Sequence, residues 1–348
     1  MKRLISLRLG LLAFSGCSAI SGIQHGDVNQ LVQTGQSVAG LTQDLGKCDS
    51  LGKTEVSFEE ERTIGGAVAL NWVQQGGGLL VDVPSVDETS LADPRRLSVG
   101  DTSRNRLAKY LNVVGKNLAA RSSRPTLQWT FGVLDASTVN AISAPGGYVF
   151  VTRGLLQRVD SEAALAGVLS HEIAHVTHKD SFLIYQQTKV DRCKTLAYAK
   201  AGQREGMASL QAYSPQFLQT AIGAFNSISG GPLDLNAAAN NALLTLFSDE
   251  FVHRYLEGGY ARDQELAADA TGLELATASG YNPRGFTDFI GGLPAGGGFF
   301  AHHPPPADRL AAMKALLASR KQAPFSPFAQ DVALLPLIPL KDELAAAR

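Results

Sequence analysis

Residues 170–180 read SHEIAHVTHKD, and they hold three of the chain's seven histidines. His171 and His175 stand four positions apart, which on an α-helix places both imidazoles on one face, one turn from each other. Two imidazoles so placed can reach a single metal ion. Glu172 lies beside them, able to take a proton from a water on that ion. The chemistry this suits is metal-assisted hydrolysis, in which the metal lowers the pKa of water towards ~7 and a carboxylate acts as general base. Leu165, Val168, Leu169, Ile173 and Val176 make the segment apolar, so it is predicted to run inside a fold rather than along a solvated face.

A catalytic ion held by two histidines needs a third protein ligand and an open position. His178 follows His171 by seven residues and points nearly the same way, but helix rise sets the two about 10 Å apart along the axis. Both could reach one ion only from almost opposite sides, with His175 crowded between them. A ligand arrangement with Gly three and His six residues after the second histidine is closed too, since His178 and Ser181 occupy those positions. The remaining route is an acid from a later helix. The segment ELAAD offers Glu265 as ligand and Asp269, one turn on, as acceptor for the free ring N–H of a ligand histidine. Spacing leaves Glu257 and Glu274 as rivals, and a plain pair of surface acids as the simpler alternative.

These residues need elements to hold them. Ser57 and Glu60 form a capping box at the start of a helix. Residues 104–120 are amphipathic, with Leu107, Tyr110, Leu111, Val114 and Leu118 on one stripe. Residues 126–135 and 147–154 read as strands, the second preceded by a Pro145-Gly146-Gly147 turn. Asp160-Ser161-Glu162 caps a helix that runs through the histidine motif. Residues 186–250 are predicted mostly helical, and the helix bearing Glu265 stops at Gly280 with Pro283 beyond. A glycine-rich loop ending in HHPPP and a short helix follow. The fold class expected is α+β, mainly helical, with a small antiparallel sheet beside the active-site helix. Residues 147–154 would be the edge strand of the cleft, with Gly147, Tyr148 and Val149 offering backbone hydrogen bonds to an extended substrate.

The chain of 348 residues carries a net charge of −1 and no Lys/Arg-rich run, which argues against a nucleic-acid partner. Its first residues, MKRLISLRLGLLAFSGCS, are basic, then apolar, then small before Cys17, the layout of a secretory signal. Phe14-Ser15-Gly16-Cys17 resembles a bacterial lipobox, which makes Cys17 the lipidated residue, and Ser18 after it favours the outer membrane. The expected division is a signal peptide over 1–16, a loosely helical tether over 17–54, the catalytic domain over 55–320 and a tail over 321–348. Cys48 and Cys193 remain; the sequence leaves open a disulfide in an oxidising periplasm or two free thiols.

Three segments together carry a family resemblance: NAISAPGGYVFVTRGLLQRVDSEAALAGVLSHEIAHVTHKD, ELAADATGLELATASGYNP and HHPPPADRL. From about Ser57 to Leu316 the chain resembles the gluzincin metallopeptidases of the CAAX prenyl endopeptidase and HtpX heat-shock protease family, in particular its soluble periplasmic lipoprotein branch of LoiP type. The resemblance implies a zincin-type metallopeptidase domain with one Zn2+ on His171, His175 and Glu265. It implies Glu172 as base for a zinc-bound water, Asp269 behind a ligand histidine, and roles near the zinc for His303 and Arg309. His303 would stabilise the oxyanion, with Arg309 and Tyr260 as other donors, or would plug the zinc from its glycine-rich loop. The expected substrates are unfolded or misassembled cell-envelope polypeptides, cut by an endopeptidase attached to the membrane through a lipid. The sequence departs from the family at Asp180, where histidine is usual, and at Ala267, where an acid is usual. The competing readings are a non-catalytic binding lipoprotein that keeps the fold and a structural zinc site; the intact Glu172 and the lack of nearby cysteines count against them.

Overall fold

A computed structural model of the chain describes residues 28–82, 102–203, 206, 208–227, 240–293 and 303–320. In chain order its elements are α1 (Val28–Lys53), α2 (Phe58–Gln75), α3 (Ser103–Ala119), β1 (Thr130–Leu134), β2 (Ala141–Ala144) and β3 (Tyr148–Thr152). There follow α4 (Arg153–Arg158), α5 (Glu162–His178), α6 (Asp180–Lys200), α7 (Pro215–Ser227) and α8 (Asn240–Gly258). The described chain closes with α9 (Arg262–Ala278), α10 (Pro283–Gly291) and α11 (Pro306–Arg320). The signal segment, Cys17, the glycine-rich loop over 294–302 and the tail over 321–348 lie outside the described residues.

Helix α5 is the axis on which the rest is built. Ser161 caps its start by accepting from the Ala164 N–H, and every residue from Ala163 to Val176 is buried. It packs against α9, α10, α3 and strand β2. A helix apolar nearly all round is stable only inside a fold, as the motif segment led one to expect. Its close approach to α9 depends on Gly272: a Cβ there would stand 2.8 Å from the backbone nitrogen of His171.

The expected α+β class, mainly helical with a small sheet, is what forms. The sheet differs in detail from the expected antiparallel arrangement. Its order is β1-β3-β2, with β3 parallel to β1 and antiparallel to β2. The tight turn through Gly146 and Gly147, both at positive φ, reverses the chain so that β3 returns between the two earlier strands. This overturns the assignment of Gly147, Tyr148 and Val149 to a cleft edge. β3 is paired on both sides, and the cleft-side edge is the short strand β2 beside α5.

The sheet separates two apolar clusters. Val149 and Val151 join Leu107, Leu111, Phe131, Leu165, Leu169 and Phe286 on one side. Phe150 joins Ile64, Val68, Trp72, Tyr185, Phe247 and Phe251 on the other. Alternate side chains of a strand point to opposite faces, so a strand buried on both faces reads as a continuous apolar run, here Tyr148-Val149-Phe150-Val151.

The expected tether over 17–54 is corrected over its second half. Asp44, Cys48 and Leu51 of α1 are buried, and Cys48 is bonded to Cys193 of α6 across 145 residues of chain. Helix α1 therefore belongs to the second cluster, with α2, α6, α7 and α8. Within that cluster Lys189 donates to Glu60 at 3.0 Å and Tyr185 donates to the same oxygen at 2.6 Å, all three side chains being buried. Burial and the Glu60 carboxylate push the Tyr185 phenol well above its usual pKa, so it stays a donor.

Candidate metal centre

Three donor atoms from two helices converge where α5 meets α9. Nε2 of His171 and Nε2 of His175 are 3.1 Å apart. The Glu265 carboxylate oxygens lie 3.5 Å from the first and 3.6 Å from the second. Nitrogen and oxygen ligands bound tetrahedrally to zinc at 2.0–2.1 Å stand about 3.4 Å from each other. The two contacts end on different Glu265 oxygens, Oε2 towards His171 and Oε1 towards His175, so the carboxylate spans both imidazoles and the three groups stand within reach of a shared ion. All three side chains are 1% exposed, a depth at which polar groups need partners.

Each imidazole is fixed from behind by an acid. Asp269 lies 3.0 Å from Nδ1 of His171, and Asp180 lies 2.7 Å from Nδ1 of His175. A carboxylate only accepts, so each Nδ1 carries a proton and Nε2 is the ring atom left facing the other donors. Arg309 closes on Asp269 with two bonds, Nε at 2.8 Å and Nη2 at 2.5 Å. Burial pushes Asp269 upward, but the hydrogen bonds from Arg309 and His171 outweigh it and hold its pKa at about 2. Burial likewise opposes the charge on His171, yet hydrogen bonds to Asp269 and Glu265 raise it to about 9 in the metal-free site. Burial works against Glu265 too, and bonds from His171 and His303 hold it well below the usual carboxylate range.

Glu172, next to His171 on α5, is buried too and turns to the strand side of that helix. Ser143 Oγ of β2 donates to its Oε2 at 2.8 Å. The other oxygen, Oε1, is buried and has no hydrogen-bond partner among the described residues. A base with one oxygen anchored and one open is the arrangement that accepting a proton from a reacting water requires. Tyr260 stacks on the His175 ring with centroids 4.2 Å apart, and burial holds its phenol well above the usual value, keeping it a neutral donor.

The structure thus brings together His171, Glu172, His175, Glu265 and Asp269. Among the rival acids, Glu274 stands outside the cluster on α9, and the side chain of Glu257 lies outside the described residues. His178 turns away to Thr271 Oγ1 at 3.0 Å. His303 joins the group: its Nδ1 bonds the Glu265 carboxylate, and with His171 and Glu265 it offers ligand atoms all within 4.8 Å of one another. Arg309 lies behind the His171 ring: its Nε and Nη2 bond Asp269 on the Nδ1 side of His171, and its Nη1 is buried with no hydrogen-bond partner among the described residues. Two residues were missed by reading the sequence. Ser143 was legible only once β2 was known to lie against α5. Asp180 was noted for departing from a family pattern, but the left-handed turn that brings it back to His175 leaves no mark in the residue types.

Comparison with known proteins agrees with this geometry. The profile of peptidase family M48 matches residues 105–317. The chain belongs to peptidase family M48, and with it to the metalloproteases. It is similar to the beta-barrel assembly-enhancing protease of Yersinia pestis, 24% identical over 184 residues, covering 53% of this chain and 32% of the relative. The protein of that name from Escherichia coli is 31% identical over 111 residues, 30% of this chain and 23% of the relative. Mitochondrial metalloendopeptidase OMA1 of Schizosaccharomyces pombe is 40% identical over 72 residues, 21% of each chain. The chain therefore spans about a third or less of the length of these relatives. Helices α1 and α2 precede the matched region but are packed into the second cluster.

Proposed function

We propose that the chain is a zinc-dependent endopeptidase that cuts unfolded or misassembled cell-envelope polypeptides. The observation that carries this reading is the convergence of His171, His175 and Glu265, with the buried, unpartnered oxygen of the neighbouring Glu172. A zinc ion held there would polarise the scissile carbonyl and make water acidic enough to react near neutral pH. Glu172 takes the proton of that water and passes it to the leaving amine, while Ser143 keeps the carboxylate aimed. His171 and His175 are held in register by Asp269 and Asp180, and Arg309 holds Asp269. Tyr260 and His303 are the donors nearest the developing oxyanion.

Substrate lies along β2 in this proposal. In the antiparallel pair with β3, Ile142 and Ala144 face their partners Phe150 and Tyr148 with their backbone groups. Thr152 N–H donates to the Asn140 carbonyl, which sets that alternation. The N–H and C=O of Ala141 and Ser143 then point outward along the cleft, where an extended peptide can add as a further strand. Backbone pairing favours unfolded segments and reads little sequence, which suits damaged envelope proteins as substrates. The names of the bacterial relatives, proteases that enhance β-barrel assembly, point the same way. The Cys48–Cys193 disulfide suits an oxidising compartment. With the lipobox-like Cys17 it supports a periplasmic protein attached to the outer membrane through a lipid. No helix among the described residues is long and apolar enough to cross a membrane.

The test is casein cleavage by the purified chain with and without a zinc chelator, beside Glu172→Gln. Cleavage should stop with the chelator and return with zinc. Glu172→Gln should bind zinc normally and lose at least about 10²-fold in kcat. Cleavage that survives Glu172→Gln, or a protein that binds no zinc, would sink the assignment.

A further inference from the structure

Helix α5 ends one residue before α6 begins, and the residue between them is Lys179. It sits at φ 61, ψ 34, the left-handed region, and is the one non-glycine at positive φ among the described residues. That conformation is unfavourable for an L-residue, so the surrounding structure must favour the sharp turn it makes. The turn sends Asp180 back over the end of α5. Its Oδ2 meets Nδ1 of His175 at 2.7 Å, and its Oδ1 accepts from Nε2 of Gln264 at 3.2 Å. The Gln264 Oε1 in turn accepts from the Ala261 N–H at 3.0 Å, closing the first turn of α9 one residue before Glu265. Asp180 is 7% exposed, and an acid at the first position of a helix is favourable in its own right. Dipole stabilisation alone does not require that both carboxylate oxygens be spent on His175 and Gln264.

We propose that Asp180 is a positioning residue for the metal centre, which fixes the His175 ring and, through Gln264, ties it to the start of the helix that carries Glu265. The bonds run from Ala261 through Gln264 and Asp180 to His175, so that ring is tied to the first turn of the helix that carries Glu265. Asp269 and Arg309 make the matching support for His171, from the opposite end of the site.

This rests on the zinc reading of the site, and the experiment separates the two. Zinc affinity is measured by competition with a chromogenic chelator for wild type, Asp180→Leu, Asp180→Asn and Gln264→Leu, with urea unfolding of each metal-free protein alongside. Asp180→Leu should weaken zinc binding about 10–100-fold. Asp180→Asn, whose carbonyl oxygen can accept the same ring N–H, should recover most of that loss. Gln264→Leu should fall between wild type and Asp180→Leu. Equal zinc affinity in wild type and Asp180→Leu overturns the inference, as does an Asp180→Asn protein no better than Asp180→Leu. If Asp180→Leu does not fold, the near-isosteric Asp180→Asn and the Gln264→Leu variant decide alone: wild-type affinity in both overturns it. A wild-type protein that takes no zinc would instead overturn the metallopeptidase reading itself.

Discussion

Ser143 Oγ reaches from strand β2 to Glu172 on α5, donating to Oε2 at 2.8 Å with both side chains buried. The strand proposed to take substrate on its edge thereby holds the proposed base. A hydrogen bond to a charged group contributes about 1.5–3 kcal/mol, and this one acts on the orientation of the proton acceptor. Ser143→Ala is expected to lower kcat on casein roughly tenfold while KM stays within about twofold. Steady-state kinetics check it, and an unchanged kcat would show that α5 alone orients Glu172.

Gly272 sets how closely α9 lies on α5. A Cβ at that position would come 2.8 Å from the nitrogen and 2.9 Å from the Cα of His171, and backbone atoms cannot swing aside. Gly272→Ala should force the helices apart at a cost of roughly 1–3 kcal/mol and weaken zinc binding together with stability. Urea unfolding and chelator competition measure the two effects. A variant as stable as wild type and binding zinc as tightly would show that the contact relaxes freely.

Zinc uptake should release a proton. Burial disfavours the charged His171 ring, but its bonds to Asp269 and Glu265 raise the pKa to about 9 in the metal-free protein. The ring is then protonated at neutral pH, and zinc must displace that proton from Nε2. Affinity should rise about tenfold per pH unit as pH increases towards 9, then level off. Calorimetry at pH 7 in buffers of different ionisation enthalpy should count about one proton released per zinc. A count of zero would mean that His171 is already neutral.

The Glu60–Lys189 pair is fully enclosed, at 1% and 0% side-chain exposure. Removing one member leaves the other charge buried without its counter-ion, which costs roughly 3–5 kcal/mol. Lys189→Met should therefore lower stability by about that amount, and adding Glu60→Leu should recover only part of it, because Tyr185 then loses its acceptor. Urea unfolding of the single and double variants tests this. A double variant no more stable than Lys189→Met would show that the loss comes from packing around Tyr185.

How much was legible in the sequence follows from which interactions are local. His171, Glu172 and His175 share one helix, so spacing alone placed them together, and helix rise alone removed His178. Glu265 could be narrowed to a short set of acids but not singled out by spacing, because its choice depends on how α9 lies across α5. Strand β2 leaves little mark in residue types: Ala141, Ile142, Ser143 and Ala144 include one β-branched residue, and only the resemblance pointed to a strand there, which pairing with β3 makes extended. That faint mark led to Gly147, Tyr148 and Val149 being given the cleft edge. The disulfide stayed undecided because it joins helices far apart in the chain, and the same separation hid the docking of α1.

The donor triangle spans two helices whose register depends on the Gly272 contact, and this bears on when the activity can arise. A chain still in transit, not yet folded, carries His171 and His175 on a segment with no Glu265 to complete them. Two imidazoles on a fraying peptide hold zinc weakly, and Glu172 has no cleft to serve. Folding is then itself the step that assembles the site, and a copy that misfolds disarms itself.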